Sequence, residues 1–149
     1  MLLSFCNALQ GFLLLAGIHF FAPNVSHAQT TAIGTWVTRD DETGEAKSHI
    51  QLYEQNGKVY GKIVKLLRAS LAHNCDECDG YRKGQPILGM IIIEDMQYND
   101  GMWSKGKVLY PKQGKWYGLK FWLKEGDANT LVVRGNVGPF YRTQYWTRL

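Results

Sequence analysis

From residue 33 to the C terminus, apolar and polar positions alternate in short runs, and each run ends in turn-forming residues. The turn signals fall at residues 40–44, at Asn56-Gly57, at Asn99-Asp100-Gly101, at Lys112-Gln113-Gly114, at residues 126–129 and at Gly138-Pro139. Asn56-Gly57 is the sharpest, because both central residues of a type I′ hairpin need positive φ. The intervening segments are rich in β-branched and aromatic residues, which suit a pleated, half-buried surface. They predict eight strands, at residues 33–38, 47–55, 58–66, 87–98, 102–110, 116–124, 130–137 and 140–148. Strands joined in order by short turns form an up-and-down meander, and eight of them can close and so remove the exposed edges. The expected fold is therefore all-β, an eight-stranded antiparallel up-and-down barrel.

Glycine refines this picture. Gly61, Gly89, Gly106, Gly118 and Gly135 fall inside predicted strands, where glycine is unfavourable unless the strand bends or another group comes close. By side-chain parity, all but Gly118 share the more apolar face, which should point inward. Gly106, for instance, goes with Met102, Val108 and Tyr110, while Leu119 and Phe121 take the parity opposite to Gly118. Inward glycines leave space for a cavity or simply permit curvature, and the sequence leaves both readings open. The run Ile87-Leu88-Gly89-Met90-Ile91-Ile92-Ile93 is apolar on both faces. It calls for cover on its outer side, either from the connection at residues 67–86 or from a second subunit.

The first 38 residues differ in kind, for they carry no charged side chain. An apolar run at residues 11–22 is too short for a bilayer span, which needs about 20 residues. Pro23 and Asn24 end it, and Ser26-His27-Ala28 supplies small residues at −3 and −1. This is the layout of a secretory signal peptide cleaved after Ala28, although its n-region lacks the usual Lys or Arg. Residues 29–149 then form the mature domain, periplasmic or secreted, and carry the whole formal charge of +4. A mild basic excess suits a solvated surface or a peripheral touch on the anionic cell envelope. Nucleic acid is not expected as a partner, since the basic residues form no long run.

With Cys6 removed, Cys75 and Cys78 remain, in His73-Asn74-Cys75-Asp76-Glu77-Cys78-Asp79. A disulfide in an oxidising compartment is the leading reading. A zinc site with His73 competes, but lacks a second ligand pair. So does a redox dithiol, although the acidic neighbours would raise its thiol pKa. No hydrolase motif, phosphate loop or metal-ligand pattern occurs, so no catalytic residue, metal or cofactor is assigned.

Gly34-Thr35-Trp36 resembles the G-x-W start of lipocalins. In that superfamily the Trp closes one end of the barrel and an Arg late in the last strand packs across it; Arg148 is the matching residue. A closer resemblance covers nearly all of the mature chain. It rests on Gly34-Thr35-Trp36 with Asp41 and Gly44, the run from Asn56 to Gly61, Cys75-Asp76-Glu77-Cys78, and Pro86-Ile87-Leu88-Gly89-Met90. Trp103-Ser104-Lys105-Gly106, Tyr110-Pro111, Gly114-Lys115, Val133-Arg134-Gly135 and Arg142-Thr143-Gln144-Tyr145-Trp146 complete it. These residues resemble bacterial exported domain-of-unknown-function family 2147, which implies a lipocalin-like barrel and supplies no activity.

Two classes of function follow. The first is a binding protein holding a small apolar or lipid-like ligand, with Val59, Gly61, Ile63, Ile91, Val108, Tyr110, Val133 and Gly135 inside. Arg134 and Arg142 would meet a carboxylate if they point to the barrel mouth. The second is a solid structural or interaction module of the cell envelope. It would act through its outer face or the Cys75–Cys78 loop, or as a homodimer through the Ile87–Ile93 strand. An enzyme ranks below both, because the proposed interior offers few titratable groups.

Overall fold

The computed structural model describes residues 31–68 and 73–149. The signal peptide expected at residues 1–28 lies outside the described residues. Eight strands run in sequence order: β1 (Gly34–Arg39), β2 (Ala46–Gln55), β3 (Lys58–Leu66), β4 (Ile91–Asn99), β5 (Met102–Tyr110), β6 (Lys115–Lys124), β7 (Asp127–Val137) and β8 (Phe140–Arg148). Each pairs antiparallel with the next, and β8 pairs back onto β1 to close the barrel. Residues 32–149 thus contain the closed sheet and its core.

Trp36, Ile50, Leu52, Val59, Ile63, Ile93, Met96, Trp103, Phe121, Leu131 and Trp146 are buried and fill the barrel interior. At one end Trp36 lies across the opening and donates from Nε1 to the Ala32 carbonyl at 2.8 Å. The Arg148 guanidinium stacks on the indole, 4.3 Å from its centroid. Arg148 also donates to the carbonyls of Ile33 (2.9 Å) and Thr31 (2.8 Å). Gly34 is required here twice over. Its φ is +137°, and a Cβ would lie 2.8 Å from Arg148 Nη1.

Two bulges reset the parity read from the sequence. In β4, Asp95 has φ +60° and is fixed by Lys58 Nζ (2.9 Å) and the Tyr60 hydroxyl (3.1 Å), both donating to Oδ1. In β5, Lys105 has φ +62° and the register against β6 shifts between Trp103 and Gly106. Trp103 therefore points inward and stacks on Phe121, with ring centroids 5.5 Å apart. Met102, expected on the inner face, stands opposite Trp122.

β4 begins at Ile91, not at residue 87. Gly89 is a turn glycine with φ +85°, so it is not a strand glycine of the inner face. The chain at residues 73–90 instead folds over the outer face of β4–β6, with a short 3-10 turn, η1 (Gly80–Arg82), in its middle. Cys75 and Cys78 form a disulfide with Cα atoms 5.3 Å apart, and both are buried. The bridge leaves no thiolate for zinc. Arg82 reaches down to pair with Glu94 on β4 and lies 5.0 Å from the Trp116 ring. This cover explains why Ile92 and Leu109, on the outer face, are as buried as the interior residues. Ile87, Met90, Ile92 and Ile93 of the two-faced apolar run are thus buried within one chain, while Leu88 is 56% exposed.

Candidate functional site at the open end of the barrel

The interior is not filled along its whole length. Gly61 and Gly106 make no space. A Cβ on Gly61 would lie 2.9 Å from Leu52 Cδ2 and 3.0 Å from Ile93, and one on Gly106 would collide with the Glu94 carbonyl oxygen and Met96 Sδ. These glycines let large neighbours close on the backbone. Gly135 is the opposite case, since a Cβ there would meet nothing within 4 Å.

Gly135 opens onto a cavity of about 490 Å³ at the end of the barrel away from Trp36. Its depth is apolar, with Val108 of β5, Leu119 of β6, Val133 of β7 and Trp146 of β8. Phe121, the register partner of Val133 on the neighbouring strand, is fully buried in the adjoining core. The volume lies within the ~300–1,000 Å³ of small-molecule sites, and an apolar body with few convergent polar groups is their usual lining.

The polar groups gather at the rim. Arg142 Nη1 pairs with Asp41 Oδ2 at 3.0 Å. Gln144 donates to Asp41 Oδ1 at 2.8 Å and accepts from Trp146 Nε1 at 2.9 Å. The chain Arg142–Asp41–Gln144–Trp146 thus runs from the exposed rim to the buried wall. Lys47 lies on the same rim, its ammonium 5.8 Å from the Tyr110 ring centroid. Behind it the β1–β2 turn is braced by Asp40. The backbone N–H groups of Thr43 and Glu42 donate to its carboxylate, which holds the pKa below the ordinary value. Arg68 bridges Asp40 (3.2 Å) and Glu45 (3.0 Å).

Of the residues nominated from sequence, Val108, Tyr110, Val133, Gly135 and Arg142 line this cavity. Val59 and Ile63 belong to the packed core, and Ile91 is half-buried. Arg134 points away from the interior: it stacks between Trp122 (5.3 Å) and Tyr141 (4.4 Å) and donates to the Thr143 hydroxyl at 3.1 Å. Sequence reading did not place Asp41, Lys47, Leu119 or Gln144 in a cavity. Leu119 had a readable signal in its apolar parity. Asp41 entered only as one residue of the family resemblance, because a turn acid that reaches back across the barrel looks like any other turn acid.

The model of a family described as an uncharacterized protein conserved in bacteria, domain of unknown function 2147, matches residues 34–148. The chain belongs to this family. No curated protein matches it in sequence. Among solved structures it is similar to protein HP1028 of Helicobacter pylori, described as belonging to the lipocalin family. The TM-score is 0.68 at 18% identity, over 80% of this chain and 83% of that one. That likeness is one of fold, and it gives the barrel a lipocalin-like architecture.

Proposed function

We propose that this family member is an exported barrel, cleaved after Ala28, that binds a small, largely apolar ligand in the cavity beneath Arg142. The observation carrying this reading is the 490 Å³ space with an apolar depth and a polar rim. The interior is otherwise packed, so this space is localised. The ligand this geometry fits has an apolar body, to stand against Val108, Leu119 and Val133, and a polar end that reaches Arg142, Lys47 or Gln144. Export is supported by the short apolar run with Ser26-His27-Ala28 after it and by the Cys75–Cys78 bridge, which belongs in an oxidising compartment.

Native mass spectrometry of the protein purified from the periplasm without detergent tests it. The expected result is a chain starting at Gln29, with a bound mass that leaves on denaturation or an added fatty acid that binds with one-to-one stoichiometry. A chain that stays empty with every amphiphile added would reject the binding function.

A further inference from the structure

The mouth of the cavity has a feature beyond what its buried depth requires, and Val137, Phe140 and Tyr141, which line that mouth, carry it. Every other turn between consecutive strands joined by a short connection carries a charged or amide side chain: Asp40 to Glu42, Asn56, Asp100, Lys112 with Gln113, and Glu125. The β7–β8 turn carries none. It is Val137-Gly138-Pro139-Phe140, with Val137 48%, Phe140 76% and the next residue, Tyr141, 64% exposed. Val137 and Phe140 face each other in the ladder, so their side chains share one side of the hairpin tip. The tip stands on the rim of the cavity.

Charge is distributed unevenly around the same tip. From Gly101 onward the chain holds nine Lys or Arg and two acidic residues, Glu125 and Asp127. Both of those acids sit at the β6–β7 turn, at the far end of the barrel. The preceding part of the chain is net acidic. Around the β7–β8 tip the cations are Arg142 on β8, Arg134 and Lys120 on the adjoining outer face, and Lys112 and Lys115 at the β5–β6 turn. Acids share this end of the barrel: Asp41 is paired with Arg142, Asp40 and Glu45 are bridged by Arg68, Glu42 is exposed in the same turn, and the Glu77 backbone packs against Gly114 behind the β5–β6 turn.

We infer that the β7–β8 hairpin tip docks the open end of the barrel onto an anionic lipid bilayer. Val137 and Phe140 enter the acyl boundary, Tyr141 lies at headgroup level, and the surrounding cations face the lipid phosphates. Aromatic side chains with a polar tip favour that depth. Basic residues flanking an inserted apolar group are the electrostatic half of peripheral binding. A polysaccharide fits this face less well, because stacking a sugar needs bare ring faces and Arg134 already occupies faces of Trp122 and Tyr141. Docked in this way, the cavity would open toward the lipid. The inference uses the outer hairpin and not cavity occupancy, so a barrel that proved empty and still docked would leave it standing.

The test is co-sedimentation of the chain from Gln29, which contains the whole closed barrel, with vesicles of phosphatidylethanolamine and phosphatidylglycerol. Vesicles of phosphatidylcholine alone serve as the neutral comparison. Binding to the anionic vesicles is expected, together with its loss as salt is raised. Phe140→Ser should weaken it about tenfold or more, as expected for withdrawing one buried aromatic side chain. Because Phe140 is exposed, the variant should keep the parent's circular dichroism and melting temperature. A Lys112→Glu, Lys115→Glu double variant should bind more weakly still at low salt. No sedimentation with anionic vesicles, equal binding to neutral ones, or binding indifferent to Phe140→Ser would each overturn the inference. Retention on cell-wall polysaccharide in place of vesicles would do so as well.

Discussion

Gln144 donates to Asp41 at 2.8 Å across the seam where β1 and β8 have stopped pairing. The β1–β8 ladder joins only Trp36 to Arg148 and Val37 to Thr147, whereas β8 extends back to Phe140. On the open side the barrel wall is therefore held by side chains, Gln144 and Arg142 from β8 against Asp41 from the β1–β2 turn. Asp41→Ala should release that seam. Amide exchange in the rim half of β8 is expected to quicken while the closed end keeps its protection. Global stability should fall by no more than ~1 kcal/mol, since Arg142 is 71% exposed and such pairs are worth little. Slowed or unchanged exchange at the rim would contradict this account of the seam.

The glycines separate packing from space. Gly106→Ala forces a methyl group into the Glu94 carbonyl and Met96 and should cost about 1–3 kcal/mol in urea unfolding, as overpacking does. At Gly135 an added Cβ meets nothing within 4 Å and the cavity lies beyond it, so Gly135→Leu should fold with nearly its parent stability and lose room for a ligand. Equal destabilisation by both substitutions would mean that the cavity is absent.

Arg148 closes the far end by bonds as well as by stacking. Arg148→Ala strips donors from the Ile33 and Thr31 carbonyls and uncovers Trp36. The expected loss is about 1–3 kcal/mol in the urea midpoint, with ligand binding at the opposite end unaffected.

Acid should act through three turn and bulge carboxylates. Asp95 is held below its ordinary value of 3.8 by hydrogen bonds from Lys58, then Tyr60. Asp127 is held there by the Thr130 hydroxyl and the Asn129 N–H, and Asp40 by the Thr43 and Glu42 N–H groups. A carboxyl whose folded pKa is depressed stabilises the fold above its unfolded value, and that contribution is lost as pH falls through the folded pKa. Melting temperature should thus be level above about pH 5 and decline below about pH 4. Asp95→Asn should make the decline shallower, and a profile unchanged by that substitution would remove Asp95 from the account.

The disulfide closes a loop with a sequence separation of three, worth about 2 kcal/mol by chain entropy. Reduction should loosen residues 73–90 and leave the barrel folded, as read by near-ultraviolet circular dichroism of its tryptophans. Collapse of that signal on reduction would show that the loop is integral to the barrel.

Much of this architecture was legible in the chain, because turn chemistry and β-branched segments report local geometry. Seven strands begin within three residues of the expected positions. β4 does not, because Ile87 and Met90 are buried as part of the covering loop and an apolar run looks the same in either role. The inner face was legible at Val59, Ile63, Val108, Val133 and Gly135 and misread at the bulges of β4 and β5. Lys105 and Asp95 adopt positive φ without being glycine, so nothing local announced that Trp103 would turn inward. The inward glycines were ambiguous for a related reason. Whether space or a neighbour lies over Gly61, Gly106 or Gly135 is decided by residues on other strands, and the cavity rim by Asp41, more than a hundred residues from Gln144.

The central claim is that the space beside Val108, Leu119 and Val133 receives a ligand. Its most direct measurement is a methyl-resolved nuclear magnetic resonance titration of the barrel with a fatty acid. The account predicts saturable shifts at Val108, Leu119 and Val133, little change at Leu52, Ile63 and Leu131, and loss of the response in Gly135→Leu. Silence at the three cavity methyls, or shifts confined to the outer surface, would contradict it.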